Sequence, residues 1–335
     1  MVVNSLRIGE THFAATVTRD PSSEYMIAIT AESFDARPFI TKTFKGVGTE
    51  GNYTMPAFRL DVNAARVVGL NDVELRNLDV TADYRDNRWI SAGVTGALTG
   101  GGTLRFELLS PPFADDPRSP DTRRRFSLTS NDAGEIARAL DLFENAIGGA
   151  LSFTGRLRDP ALGSGLEDDD EQATSGTVRV DHFRVVTAPT LSRILSAGSM
   201  PGIRDLLGGD GIGFERLDVP YAFRDSVITL DRARAWGPAI GLTMSGALDV
   251  RRNRANLEGS VVPAYTANSI LGRIPVLGSL LVGGEGQGLF AINYRVTGTI
   301  EEPSVSVNPL SMLTPGFLRG IFGVLDSGGT DTDPE

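Results

Sequence analysis

Cysteine is absent and histidine nearly so: the 335 residues include no Cys and two His, His12 and His182. The first absence removes disulfides, thiolate nucleophiles and cysteine-bound zinc together, and it is neutral between reducing and oxidising compartments. The second leaves too little imidazole for general acid–base work near neutral pH. The two histidines stand far apart in strand-like runs, without HExxH or other ligand spacing, so both read as half-exposed strand residues. An excess of basic charge is missing too. Thirty-two Lys and Arg against 42 Asp and Glu give a net charge of −10, which offers no field for a phosphate backbone. The short run Arg123-Arg124-Arg125 follows Asp115, Asp116 and Asp121 and reads as a solvated strand start. The opening MVVNSLRIGE lacks a basic stretch leading into an apolar one, so no signal peptide is visible. That leaves a cytosolic chain or a piece of a longer one.

Catalytic motifs are missing as well. GGEGQG (283–288) is neither a dinucleotide fingerprint nor a P-loop, and it reads as a turn. EDDDEQ (167–172) lacks the glycine and the final glutamate of an EF-hand loop, and it reads as a solvated hairpin tip. There is no GxSxG and no nucleophile with a plausible base. The expectation is a protein that is not an enzyme and needs no cofactor or metal.

What is present is strand. LFAINYRVTGTI (289–300) puts Phe290, Ile292, Tyr294, Val296 and Ile300 on one face and Asn293, Arg295, Thr297 and Thr299 on the other. Similar runs occur at 25–33, 150–157, 176–186, 226–236, 240–250 and 255–262. One-sided strands joined by short turns predict a mainly β protein built on an antiparallel sheet. A few short helices, at about 131–147, 190–207 and 309–325, are expected to pack at or in it. The first has Asp132 as N-cap, Glu135 three residues on, and a stripe of Ile136, Leu140, Phe143 and Ile147. Thr314-Pro315 starts the last one. An internal repeat relates NLDVTADYRD (77–86) to RLDVPYAFRD (216–225), as though the sheet grows by repetition along one axis. The expected division is a β-rich groove segment over 1–125, a second with helical insertions over 126–325, and a disordered tail over 326–335.

The apolar inventory exceeds what such strands need. Gly259 to Gly284 carries one charged side chain, Arg273, yet Gly272, Pro275 and Gly278 break it into pieces too short to span a bilayer. Two readings stay open: a segment capping the end of a closed β-sandwich, or a lining or plug in an elongated apolar trough.

At these residues a family resemblance enters. Residues 261–322 carry Pro263, Asn268, IP-x-LG (274–278), Gly283-Gly284-x-Gly286, Y-x-V-x-G (294–298), Pro303, NPLS (308–311) and PG-x-LR (315–319). This order resembles the C-terminal signature of the AsmA-like superfamily, in particular its YhdP-like branch. Residues 127–157 and 176–196 are similar to the domain that precedes it. The resemblance covers about 125–322 well and the first 120 residues only in style. It implies a curled sheet with a continuous apolar groove, in a bridge-like envelope protein of Gram-negative bacteria implicated in carrying phospholipid to the outer membrane. It further implies a periplasmic location within a longer inner-membrane-anchored protein whose anchor is not in this chain. The partners it implies are phospholipid acyl chains and an outer-membrane or periplasmic protein at the C-terminal end, with no nucleic acid. The expected lipid contacts are Ile270, Leu271, Ile274, Val276, Leu277, Leu280, Leu281, Phe290, Ile292, Tyr294, Val296, Phe317, Leu318, Ile321 and Phe322.

Overall fold

The computed structural model describes residues 1–21, 24–38, 40, 55–71, 73–86, 88–111, 123–157, 174–186, 191–192, 211–263, 292–300 and 302–308. Sixteen strands form one sheet in sequence order. They are β1 (Val2–Ile8), β2 (Thr11–Arg19), β3 (Tyr25–Asp35), β4 (Phe58–Val68), β5 (Glu74–Arg85), β6 (Arg88–Leu98), β7 (Thr103–Leu109) and β8 (Arg124–Ser130). After helix α1 (Ala133–Ala139) come β9 (Ala146–Leu157), β10 (Thr174–Val185), β11 (Ile212–Arg224) and β12 (Val227–Trp236). The last four are β13 (Ile240–Asp249), β14 (Arg254–Pro263), β15 (Ile292–Gly298) and β16 (Pro303–Asn308). The sheet curls but does not close, leaving β1 and β16 as its edges. The mainly β architecture read from the alternating runs is the one found.

Two features depart from the expectation. The β3–β4 ladder is parallel, with Ile29 opposite Val62, whereas the other ladders are antiparallel. A parallel pair needs a crossover connection, and residues 36–57 supply its length. The first helix is also shorter than 131–147. Asp132 caps it as expected, its Oδ1 accepting the Glu135 N–H at 2.8 Å. It stops at Ala139 in a Schellman turn: the Leu142 N–H reaches Ala137 O and the Asp141 N–H reaches Arg138 O, with Asp141 at φ 56°. Ala146 and Ile147 are instead claimed by the sheet, paired with Val185 and Arg184. Phe143 and Ile147 are therefore exposed. In the second expected helix only Leu191 and Ser192 are described, and both are helical. The third lies outside the described residues.

The two repeat copies fall on β5 and β11 and end alike, Asp86 and Asp225 both at φ 50° in the turn to the next strand. One sheet face is polar and laced by cross-strand ion pairs. Arg179 and Asp218 are 2.7 Å apart and Asp181 and Arg216 2.6 Å, each pair directly opposed between β10 and β11.

Glycines allow the closest backbone approaches across the sheet. Gly155 and Gly176 oppose each other across β9–β10. A Cβ on Gly176 would fall 1.9 Å from Thr154 O, so only glycine lets the two backbones come this close. Gly259 repeats the device, with Thr243 O 1.9 Å from where its Cβ would be.

Candidate functional site: an apolar stripe across the sheet

Register decides which side chains share a face, because successive residues of a strand point to opposite sides. From β2 to β6 the paired residues run Val17, Ile27, Leu60, Ala82, Ala92. The row continues through Leu108, Phe126, Gly155, Gly176 and Tyr221 on β7 to β11. It ends with Leu230, Gly246, Leu257, Val296 and Val305 on β12 to β16. Met1 exchanges both backbone hydrogen bonds with Val17, which carries the row to the first edge. No side chain in this row carries a charge.

A second row, two residues along, reads Val3, Ala15, Ile29, Val62, Val80, Val94, Phe106, Leu128, Phe153, Val178, Val219 from β1 to β11. Between them, on the opposite face, lie Thr16, Ala28, Asp61, Thr81, Gly93, Glu107, Ser127, Thr154 and Thr177. The apolar stripe therefore runs perpendicular to the strands. At about 4.8 Å per strand its length is about 70 Å.

Burial along the stripe is uneven. Ile29, Val62, Val80, Val94 and Phe106 are half-buried. Toward the C-terminal end Ile240, Val261 and Ile292 are 0% exposed and Ile212 1%, within a cluster that includes Phe214 and Leu257. Helix α1 covers another patch, packing Ile136 and Ala139 against Val73 and Leu98. Of the lipid contacts expected from the sequence, Ile292, Tyr294 and Val296 share the apolar face of β15 and are buried in that C-terminal cluster. Ile270, Leu271, Ile274, Val276, Leu277, Leu280, Leu281, Phe290, Phe317, Leu318, Ile321 and Phe322 lie outside the described residues.

Two tyrosines lie on the stripe, Tyr294, which the sequence gives as an expected lipid contact, and Tyr221, which it does not single out, and burial pushes both phenols up to about 12. Tyr294 leans over Gly259 and donates its hydroxyl to Thr243 O at 2.8 Å. Tyr221 sits in an aromatic group, its ring 5.6 Å from Phe153, which stands 5.1 Å from Phe126. The signal available in the sequence was glycine inside strands, a mark of close backbone approach that aromatic neighbours often cover.

On the polar face, three strands place Ser5 Oγ 3.0 Å from His12 Nε2 and His12 Nδ1 2.5 Å from Glu32 Oε2. The sequence reading found no nucleophile with a base, and here a hydroxyl, an imidazole and a carboxylate do line up. Glu32 is 75% exposed, and Ser5 and Glu32 each sit where the register slips beside a bulge. The chain of bonds ties two bulged strands to β2. Among the described residues no group of three or more His, Asp or Glu is placed to hold a metal ion, and no helix is long and apolar enough to cross a membrane.

Fold and site together define an open, single-sheet β protein with one continuous apolar stripe and a charged opposite face. No protein-family model, no curated protein and no solved structure matches the chain.

Proposed function

We propose that this chain is a non-enzymatic conduit module that shields phospholipid acyl chains on an apolar β-groove. In this reading it works in the periplasm, as part of a longer envelope protein delivering lipid to an outer membrane, with a protein partner at its C-terminal end. The observation that carries the reading is the apolar row that runs without a break from β2 to β16. The resemblance of residues 261–322 to the AsmA-like signature supports the same reading and supplies the location.

The physics is simple. A sheet with one apolar face must cover it, and acyl chains can do so at about 0.8 kcal/mol per buried CH₂. Such attraction has no direction, so a chain can slide from strand to strand without a tight site. Half-buried residues in the middle of the stripe offer that surface, while the dry cluster around Ile240 and Ile292 ends it. The same cluster favours a second reading for the C-terminal third: a closed structural core that docks a partner in outer-membrane assembly.

The test is native mass spectrometry with lipid extraction on the purified chain, beside a Val62→Asp, Val94→Asp variant whose fold is checked by circular dichroism. Co-purifying phospholipid that disappears from the folded variant is the expected result. A lipid-free wild type would overturn the conduit reading and leave the structural one.

A further inference from the structure

The apolar stripe has unlike rims. Toward the strand ends where α1 lies, the next paired residues are Phe13, Ala31, Ala64 and Leu78. Ala31 and Ala64 are 3% exposed and pack with Val67, and α1 closes the same side farther along, over Leu98, Leu104 and Leu151. The opposite rim lies two residues outward from Val17, Ile27, Leu60 and Ala82. There the pairing runs Arg19, Tyr25, Phe58, Tyr84, Trp89 from β2 to β6. Past the end of β7, Arg124 of β8 stands two residues outward from Phe126 and donates its Nη1 to the Trp89 carbonyl at 2.9 Å.

This rim is aromatic and cationic. Phe58 stacks on Tyr84 with centroids 5.1 Å apart, and Trp89 meets the two rings edge-on at 5.7 and 5.2 Å. The Arg19 guanidinium lies over the Tyr25 ring at 5.6 Å. The row is open to a ligand, with Arg19 exposed and Trp89 38% exposed. Its arginines also differ from their neighbours. On the polar face at the same end of the sheet, Arg59 and Arg85 both meet Glu24 and Asp83. Arg19 and Arg124 meet no carboxylate among the described residues. A guanidinium has five N–H donors, so both keep donors for an anion.

We propose that this rim seats the polar end of a bound amphiphile, with Arg19 and Arg124 selecting an anionic headgroup whose tails lie on the apolar rows. The proposal rests on the conduit reading and deepens it. Tyrosine and tryptophan suit the level where hydrocarbon meets water, and guanidinium matches the oxygens of a phosphate. The other rim, closed by apolar packing, offers a headgroup no such place. Six strand spacings of about 4.8 Å separate the two arginines, so they serve separate headgroups along the path.

The experiment offers phosphatidylglycerol, which is anionic, and zwitterionic phosphatidylcholine with the same acyl chains to the purified chain in mixed vesicles. Native mass spectrometry reads which lipid is retained, at low and at high salt. The wild type should enrich the anionic lipid about two- to tenfold, the range of one or two exposed ion pairs, and salt should shrink the enrichment. The net charge of −10 works against any such preference, so the enrichment reports a local site. An Arg19→Gln, Arg124→Gln variant, folded by circular dichroism, should bind both lipids without preference, and Arg19→Gln alone, at an exposed position, should weaken the preference. Arg105→Gln with Arg295→Gln changes net charge equally on the polar face, where both arginines are exposed, and should leave the preference intact. No enrichment by the wild type, or equal loss in the two double variants, overturns the headgroup rim and leaves the conduit standing. Retention of tail-free glycerol phosphate to the same extent as phosphatidylglycerol overturns it too, because the anion alone would then suffice. Retention of neither lipid by the wild type overturns the conduit reading, and the rim with it.

Discussion

Replacing Gly176 by alanine tests the close approach of β9 and β10. The new methyl carbon would sit 1.9 Å from Thr154 O and 2.6 Å from Gly155 Cα, where ordinary contacts begin at 3.4 Å. Both obstacles are backbone, so no side chain can rotate away. One strand must shift by about an ångström to regain even a 3.0 Å contact. Overpacking of this kind costs about 1–3 kcal/mol, and each ladder hydrogen bond strained in the shift adds about 1 kcal/mol. We expect a loss of about 3 kcal/mol. Gly213→Ala is the control, since its Cβ would meet nothing within 4 Å. It should be neutral or gain about 0.5 kcal/mol through the unfolded chain. Urea unfolding followed by circular dichroism should separate the two variants by about 1 M or more in midpoint. An open sheet can melt in parts, so hydrogen exchange at β9–β11 should show the loss concentrated there. Equal midpoints for the two alanine variants would refute the claim that the facing glycines are demanded by close backbone approach.

Two further outcomes follow from the same geometry. Ile292→Asp places a carboxylate in a fully buried apolar cluster and should unfold that end of the sheet, at a cost above about 4 kcal/mol, whereas Val94→Asp on the half-buried stripe should cost less than about 2 kcal/mol and stay folded. Equal losses in thermal melts would mean that the stripe is sealed throughout. Burial raises Tyr221 and Tyr294 from 10.0 to about 12, so their contribution to stability is intact below pH 10 and is lost as pH climbs toward 12. Melting temperature should stay flat with respect to these groups up to pH 10 and fall above it, less steeply in a double Tyr→Phe variant. Phenolate absorbance rising near pH 10 for all six tyrosines of the folded chain would contradict the burial.

Much of the fold was legible because period-two alternation is a local property. The runs at 240–250 and 255–262 match β13 (Ile240–Asp249) and β14 (Arg254–Pro263) within a residue or two. Helix α1 was overextended because its apolar stripe continued through Phe143 and Ile147. A helical pattern and a strand pairing competed for Ala146 and Ile147, and the ladder with Val185 and Arg184 won. The parallel β3–β4 pair left no local mark, since direction depends on where the connection between them travels.

The stripe itself sits one level above what any run of residues can show. Each strand declares which of its faces is apolar, but a continuous row also needs the registers of fifteen neighbours to agree. Val62 joins Ile29 on one side and Val80 on the other only because both pairings fall on the same pleat. A slip of one residue would have set Asp61 or Asn63 in its place. Tyr221 is harder still to read, because its environment is made by glycines on two other strands and by aromatic rings on β8 and β9. Strand identity is written in short stretches of this sequence. The surface that could carry a ligand is written in agreement between stretches, which only the paired sheet displays.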